Sequence, residues 1–249
     1  MDTTTKIHQI DQIYRSLKLK TPNKHHLPTH ASVLLLATHP AKDNSTIVEL
    51  GSGIGHVSLV IGKMLTNSKI IGIEMQKELY EFSLKNKEIN EINKVEFLNT
   101  EVKNVKNHFD TESVDYVISN PPHYFDGLKS QISDRKIARS AEDLKVLEDF
   151  IYASKYLLKN KGLGCFIIHP YVLSDVLIIL EKNNLEPQHI YIAYGNKGKD
   201  AQLLSLIFRK NGGRNLVIHP PIFFSEWGVE RGYGKDLFSL WVGSGVKGR

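Results

Sequence analysis

From residue 46 onward, short apolar runs alternate with longer segments in which apolar side chains recur at helical spacing. Runs of about four to eight apolar residues are typical of buried strands, and recurrence every three or four residues is typical of helices. This alternation of strands and helices predicts βαβ units and an α/β fold with a mostly parallel sheet. The pattern predicts strands at 47–50, 69–74, 95–98, 114–119, 163–169, 190–194 and 203–209, with helices that end at residue 65 and cover 77–91, 143–159 and 172–182.

The segment ahead of this alternation has a different character. Residues 6–18 carry apolar side chains at helical spacing, and residues 31–38 form an apolar run that predicts a second helix. The basic stretch between them contains His25, His26 and His30 without a nearby cysteine or paired carboxylates. We therefore interpret it as a solvated loop rather than a metal site.

The tail from residue 211 is rich in glycine and contains both tryptophans, and it is too short for an independent domain. We predict an N-terminal helical and basic extension (1–45), a central α/β domain (46–210) and a C-terminal extension (211–249) that packs against the sheet.

Composition and charge narrow the class of protein. The 249 residues are 41% hydrophobic, which is enough for a full core, and the formal net charge of +5 favours a polyanionic partner. The single cysteine, Cys165, lies in an apolar run, which indicates a buried thiol and favours a reducing compartment. Neither a signal peptide nor a membrane-spanning run is recognisable, so we expect a cytoplasmic protein with no membrane partner.

The first candidate site is a glycine-rich loop directly after the first predicted strand. Gly51, Gly53 and Gly55 lead into the next helix, with Ser52 between the first two. Glycines let the backbone turn tightly and approach a ligand with no Cβ atom in the way. The spacing differs from the dinucleotide fingerprint G-x-G-x-x-G, and Glu49, two positions earlier, would repel a pyrophosphate. A carboxylate there suits an adenosyl-methionine, whose amino-acid part carries an ammonium group.

Two further carboxylates stand near strand ends. Glu74 closes the second predicted strand, where a carboxylate can accept hydrogen bonds from both ribose hydroxyls of the cofactor. Glu101 follows the third predicted strand. Its carboxylate can accept a hydrogen bond from the adenine amino group of the cofactor, or it can position the loop after this strand. One such acid alone is commonly a solvated helix cap. Three acids beside one glycine loop predict S-adenosyl-L-methionine as the cofactor.

The second candidate site is the segment 119–124, Ser-Asn-Pro-Pro-His-Tyr, at the end of the fourth predicted strand. Prolines keep the backbone extended and offer no N–H, so the groups that remain are the Asn120 side-chain carbonyl and the Pro121 backbone carbonyl. Two acceptors can hold an amino group by its two hydrogens and direct its lone pair toward a methyl group. The pattern therefore predicts methyl transfer to an exocyclic amino nitrogen by a catalytic loop that comprises Asn120, Pro121, Pro122, His123 and Tyr124.

With both motifs in view, the chain resembles the class I N-methyltransferases that carry the loop (N/D)-P-P-(Y/F/W). More narrowly, it is similar over nearly its whole length to the bacterial tRNA1(Val) adenine-N6 methyltransferases. The glycine loop and the proline loop are typical of methyltransferases in general, and the later, weaker segments carry the narrower likeness. The matching segments are 49–55, 71–79 and 119–122, followed by 137–139, 198–201 and 220–221.

The resemblance implies a seven-stranded, Rossmann-like methyltransferase sheet with helices on both faces and one antiparallel strand near the edge. It implies methylation of adenine N6 in tRNA, at position 37 beside the anticodon, with the adenosine flipped out of the RNA into the cleft. It also implies that Met75 contacts the cofactor, and that Asn120 contributes to the cofactor site as well as to the catalytic loop.

Basic residues near these motifs are candidates for contact with RNA phosphates. Arg135, Lys136 and Arg139 follow the catalytic loop, where charge and resemblance both favour this role and a solvated helix start is the alternative. Lys199, in a later loop, and the basic N-terminal stretch are weaker candidates.

Two departures from the family pattern concern the acceptor side. The aromatic residue that usually follows the two prolines is replaced by His123, with Tyr124 next, so either ring can be the one that stacks on the base. The family usually has an aspartate before the first strand, and this chain has His30 or Ser32 at that position. These departures leave the cofactor prediction unchanged and the exact substrate open.

Loops of this kind also serve methylation of glutamine in release factors, of guanine N2 in ribosomal RNA and of adenine in DNA. The glutamine enzymes carry a helical domain ahead of the glycine loop, and the roughly 46 residues here argue against them. The DNA enzymes usually carry a target-recognition domain, which we do not find. Ribosomal RNA, methylated at guanine N2 or adenine N6, stays open. An alternative from another class is a non-catalytic RNA-binding protein on the same fold, which His123 in place of the usual aromatic residue keeps open.

Overall fold

The computed structural model describes residues 3–23, 26–121 and 133–224, and the strands in these ranges form one mixed sheet. The order across the sheet is β3-β2-β1-β4-β5-β7-β6-β8, with β9 also beside β6. Strand bounds are β1 Thr46–Leu50, β2 Lys69–Glu74, β3 Val95–Asn99, β4 Val114–Ser119, β5 Leu158–Ile168, β6 Leu185–Tyr194, β7 Ala201–Lys210, β8 Val217–Ile218 and β9 Ile222–Phe223.

The first five strands pair in parallel, and β7 is antiparallel to both of its neighbours, β5 and β6. The predicted mostly parallel sheet is confirmed, together with the antiparallel strand near one edge. The seven predicted strands are all present, and the short strands β8 and β9 of the C-terminal segment add to them by pairing with β6.

Helices cover both faces of the sheet because neighbouring residues of a strand point to opposite sides. Ile47 belongs to a core with helices α1, α2 and α3, whereas Val48 belongs to a second core with α5 and α6. Helix bounds are α1 Thr3–Ser16, α2 His30–Thr38, α3 His56–Met64, α4 Lys77–Ile89, α5 Ser133–Leu157 and α6 Leu173–Lys182, with 3₁₀ turns at Val102–Asn107 and Pro170–Val172.

Element boundaries differ from the prediction where polar residues lie inside an element. The predicted helix 143–159 ends at Leu157, and β5 starts at Leu158, which pairs with Val114 ahead of a register shift. The exposed residues 159–161 precede the apolar run that predicts the strand 163–169, so the sequence pattern does not predict the first part of β5. Strand β6 likewise starts before its apolar run, and its pairing with β7 shifts at Pro187, which lacks an N–H for the ladder.

The carboxyl ends of β1, β2, β4 and β5 lie along one side of the sheet, which we call the carboxyl edge. Leu50 is paired with both Ile73 and Ser119, so the residues that follow them, Gly51, Glu74 and Asn120, come next to one another at this edge. Within the described ranges, no helix combines the length and apolar composition needed to cross a membrane.

Candidate active site

The glycine loop after β1 has a fixed backbone shape that depends on its glycines. Gly51, Gly53 and Gly55 have φ angles of +74°, +54° and +82°, in the left-handed region that disfavours other residues. The amides of Gly51 and Ser52 both donate to the Ile73 carbonyl at 2.9 Å, and the Gly55 amide donates to the Ser52 carbonyl at 2.9 Å. These bonds set the loop against the end of β2 and start helix α3.

Glu74 is buried at the end of β2, and its carboxylate connects two loops. One oxygen accepts a hydrogen bond from the Gly53 amide and the other accepts one from the Gln76 amide, each at 2.8 Å. Each carboxylate oxygen has capacity for a second donor. The geometry therefore suits a carboxylate that is held in place by the chain and accepts further hydrogen bonds from a diol.

Asn99 supports the same strand end and was not identified from the sequence. Its side-chain amide donates to the carbonyls of Glu74 and Met75, at 2.8 and 3.1 Å. The Met75 side chain is 64% exposed beside this contact, although it is apolar. An exposed apolar side chain at the rim of a loop is suited to lie against the flat face of a ligand.

Glu49 lies under the glycine loop in a buried setting. Its carboxyl accepts a 2.5 Å hydrogen bond from the Ser58 hydroxyl of α3. Burial raises the pKa of Glu49 to about 8, and the nearby Glu74 carboxylate acts in the same direction. A cation placed beside Glu49 would favour its ionised form, which suits the recognition of an ammonium group.

Two residues beside Glu49 were not identified from the sequence. The Tyr14 hydroxyl of α1 lies 3.2 Å from Nδ1 of His56, the first residue of α3. Burial lowers the pKa of His56 to about 3, so the ring is neutral at physiological pH. Burial, and next the Glu49 carboxylate, raise the pKa of Tyr14 above its ordinary value. Tyr14 follows the apolar stripe of its helix, so no local pattern distinguishes it from a core residue.

Asn120 is the described part of the predicted catalytic loop, together with the buried Pro121. The preceding residue, Ser119, donates from its hydroxyl to the Leu50 carbonyl at 2.7 Å, which fixes the end of β4 against β1. Asn120 Oδ1 is buried, and no hydrogen-bond partner for it lies within the described chain; the same holds for Ser52 Oγ. Buried polar atoms without partners cost about 1–3 kcal/mol each, so a ligand that hydrogen-bonds to Asn120 Oδ1 and Ser52 Oγ would remove this cost.

The other predicted site residues have different settings. Glu101 lies after β3, 45% exposed, and forms a 2.5 Å ion pair with Lys103. Lys199 is exposed in the loop between β6 and β7. Pro122, His123 and Tyr124 lie outside the described residues. Arg135, Lys136 and Arg139 fall within helix α5, and their side chains lie outside the described part of the structure.

These features define a class of protein. A mostly parallel sheet, a glycine loop after β1, a buried carboxylate at the end of β2 and an Asn-Pro segment at the end of β4 form the site of a class I S-adenosylmethionine-dependent methyltransferase. The residues present fit this cofactor, because left-handed glycines, a pre-oriented Glu74 and a Ser52 hydroxyl with no partner in the described part of the chain all lie at the same edge. The chain belongs to the methyltransferase domain family, whose model matches residues 41–205.

Individual relatives are distant. The chain is 26% identical over 215 residues to a release factor glutamine methyltransferase of Lactococcus lactis, covering 84% of this chain and 70% of that protein. It is 26% identical over 160 residues to a tRNA1(Val) (adenine(37)-N6)-methyltransferase of Aliivibrio salmonicida, covering 61% and 63%. A structure titled a predicted O-methyltransferase from Agrobacterium tumefaciens superposes with a TM-score of 0.64 at 18% identity, covering 89% and 99%, which shows the shared fold.

Proposed function

We propose that this methyltransferase transfers the methyl group of S-adenosylmethionine to adenine N6 in tRNA, with position 37 of tRNA1(Val) as the acceptor that its tRNA-modifying relatives suggest. The observation that carries the proposal is Asn120 Oδ1, which is buried next to the glycine loop and has no hydrogen-bond partner among the described residues. An acceptor that is desolvated before the substrate arrives is suited to a substrate that brings N–H groups.

On the cofactor side, the chain holds each part of the molecule with a different group. Glu74 accepts hydrogen bonds from the ribose hydroxyls while the Gly53 and Gln76 amides keep its carboxylate in position. Glu49 favours the ammonium of the methionine part. Met75 lies against the adenine ring, and Glu101 accepts from the adenine amino group or orders the loop after β3.

On the acceptor side, Asn120 and Pro121 orient the nucleophile. The amide oxygen of Asn120 and the carbonyl of Pro121 accept the two hydrogens of the adenine amino group, which directs the nitrogen lone pair toward the cofactor. The bound cofactor supplies an electrophilic methyl group on a sulfonium. The nitrogen loses its proton only after it has been methylated, so the chain needs no strong base, and His123 or Tyr124 stacks on the ring.

RNA as the substrate class rests on charge and on the relatives. The chain carries a formal net charge of +5, and Lys199 is exposed at the carboxyl edge, where Asn120 lies. Arg135, Lys136 and Arg139 follow the catalytic loop in the sequence and would contact RNA phosphates. On this proposal the 46–210 segment is the methyltransferase domain, and the flanking extensions add to the RNA surface.

A second candidate is supported by the match to release factor glutamine methyltransferases, which covers 84% of this chain. A glutamine side-chain amide also presents two hydrogens on a delocalised nitrogen. The acceptor geometry of Asn120 and Pro121 therefore fits glutamine N5 as well as adenine N6, and the acceptor molecule must be identified directly.

The test is methyl transfer from radiolabelled S-adenosylmethionine to total RNA and to protein extract, both from cells that lack this gene. N6-methyladenosine in the tRNA fraction supports the proposal. N2-methylguanosine, or label only in ribosomal RNA, would agree with the proposed mechanism and contradict adenine N6 of tRNA as the acceptor. Label in a release factor, with none in RNA, selects the glutamine reaction instead. Cofactor binding with no methylation of either would indicate a non-catalytic protein.

A further inference from the structure

Strand direction brings the loop between β6 and β7 to the same edge as Asn120. Because β7 is antiparallel to β5 and β6 is antiparallel to β7, β6 runs parallel to β4 and β5. The carboxyl end of β6 therefore lies at the carboxyl edge, three strand positions from β4. At about 4.8 Å between strands, this separation is roughly 14 Å.

Aromatic side chains lie along this part of the edge, with Tyr171 exposed and Tyr194 and Phe223 half-buried. Tyr171, in the 3₁₀ turn after β5, is 47% exposed and its ring stacks beside His169 at 5.6 Å. At the end of β6, Tyr194 is paired with Phe223 of β9, and their ring centroids are 5.7 Å apart. A tyrosine ring exposed to this extent adds little to the core, so its position points to a surface role.

Basic side chains accompany these rings. Lys197 has its ammonium 5.7 Å from the centroid of the Phe223 ring, and Lys199 is exposed two residues later. Asp200 is the acidic residue of the same loop, so residues 195–200 carry a net positive charge. Rings for stacking combined with lysines are the composition of surfaces that bind single-stranded nucleic acid.

We propose that Tyr171, Phe223, Lys197 and Lys199 form a binding surface for the single-stranded RNA that flanks the methylated nucleotide, an inference that rests on the proposed function. Tyr171 stacks on a base close to the target, and the lysines contact phosphates farther along the strand. A length of roughly 14 Å accommodates about four nucleotides at the stacked spacing of ~3.4 Å. The surface gives affinity for the strand, while Asn120 selects the reacting group.

The experiment measures the affinity of the S-adenosylhomocysteine-bound protein for an unmodified tRNA transcript at several salt concentrations. Tyr171→Ala and Tyr171→Leu should weaken binding about fivefold to a hundredfold, whereas Tyr171→Phe, which keeps the ring, should bind like the wild type. The double change Lys197→Ala/Lys199→Ala should lower the salt-dependence slope by about 1.4, or about 0.7 for each lost phosphate contact.

Two variants serve as matched controls. Tyr152, on α5, is 51% exposed, and Lys182 is exposed at the far end of α6. Tyr152→Ala and Lys182→Ala should leave both the affinity and the salt slope unchanged. If the wild type binds tRNA and Tyr171→Ala binds within twofold of it, this inference fails and the proposed function stands. If the wild type binds and methylates no RNA, the proposed function fails and this inference fails with it.

Discussion

The side-chain carboxylate of Glu74 accepts a 2.8 Å hydrogen bond from the backbone amide of Gly53, so the end of β2 is joined directly to the glycine loop. The second oxygen is held by the Gln76 amide. A ligand that binds this carboxylate meets a group whose rotamer is already fixed, and less conformational entropy is lost on binding. The same contact makes the loop conformation and cofactor affinity depend on one side chain.

Glu74→Gln should weaken S-adenosylmethionine binding about tenfold to a hundredfold. The glutamine amide directs N–H groups at a site where the carboxylate accepts from two backbone amides, and hydrogen bonds to charged groups contribute about 1.5–3 kcal/mol each. Titration calorimetry with S-adenosylhomocysteine measures the loss. Glu96→Gln, at an exposed carboxylate of β3 paired with Lys69, is the control and should bind normally. Equal affinities for the two variants would contradict the role given to Glu74.

Asn120→Ala should lower the turnover number by about 10²–10³ while the dissociation constant of the cofactor changes little. Removal of a preorganised acceptor for the reacting group has a cost of this size, since the group acts mainly in the transition state. Single-turnover assays with tRNA, alongside calorimetry with the cofactor, separate the two quantities. A variant that turns over at the wild-type rate would refute the mechanism.

Asn120→Asp separates loss of the acceptor from loss of side-chain volume. Aspartate keeps an oxygen close to the position of Oδ1 and cannot donate when ionised. It should therefore retain clearly more activity than Asn120→Ala. If both variants were equally inactive, the amide nitrogen of Asn120, rather than its oxygen, would be the important group.

Much of the fold follows from local pattern. The apolar runs that became β1, β2 and β4 are buried on both faces, so each reads as a continuous strand. The glycine loop and the Asn-Pro segment are predictable because glycine permits, and proline enforces, backbone conformations that other residues rarely adopt. The sequence pattern predicts a start of β5 that is too late, because residues 159–161 interrupt its apolar run.

The local sequence pattern does not predict contacts between segments that are far apart in the chain. Tyr14 and His56 are 42 positions apart, and nothing local to either predicts that they meet beside Glu49. The acidic character of Glu49 predicts an ammonium site, yet its burial and its hydrogen bond from Ser58 arise only when α3 packs on β1. The pairing of β8 and β9 with β6 is similarly a tertiary effect, because two-residue strands carry no periodic signal.

Glu49 should make the stability of the cofactor-free protein fall as pH rises from about 4.5 to about 8. Its pKa is about 8 in the folded protein, against an ordinary value of 4.5, so the folded state keeps a proton that the unfolded state releases. The stabilisation is complete below pH 4.5 and is lost by about pH 8. The measurement is the free energy of unfolding against pH for the wild type and for Glu49→Gln.

The comparison with Glu49→Gln isolates this carboxyl from other groups. His56, whose pKa is lowered by burial, acts in the opposite sense, because its contribution is lost as pH falls below the ordinary histidine value of 6.5. That contribution is common to both proteins and cancels in the difference. A difference that stays constant between pH 4.5 and 8 would show that Glu49 titrates normally.

Gly53→Ala and Gly55→Ala should destabilise the cofactor-free protein to different extents, although both residues have positive φ angles. At Gly53 no atom of the described residues lies within 4 Å of an added Cβ, so backbone strain is the cost expected for alanine, at about 1–2 kcal/mol. At Gly55 the added Cβ would lie 2.5 Å from the Phe97 ring, and such overlap adds about 1–3 kcal/mol to the strain. Chemical unfolding of both variants gives the difference in the free energy of unfolding directly.

Equal losses of stability would mean that Phe97 moves aside at no cost. A larger loss for Gly53→Ala would contradict the loop geometry, because the Gly53 amide can still donate to Glu74 in that variant.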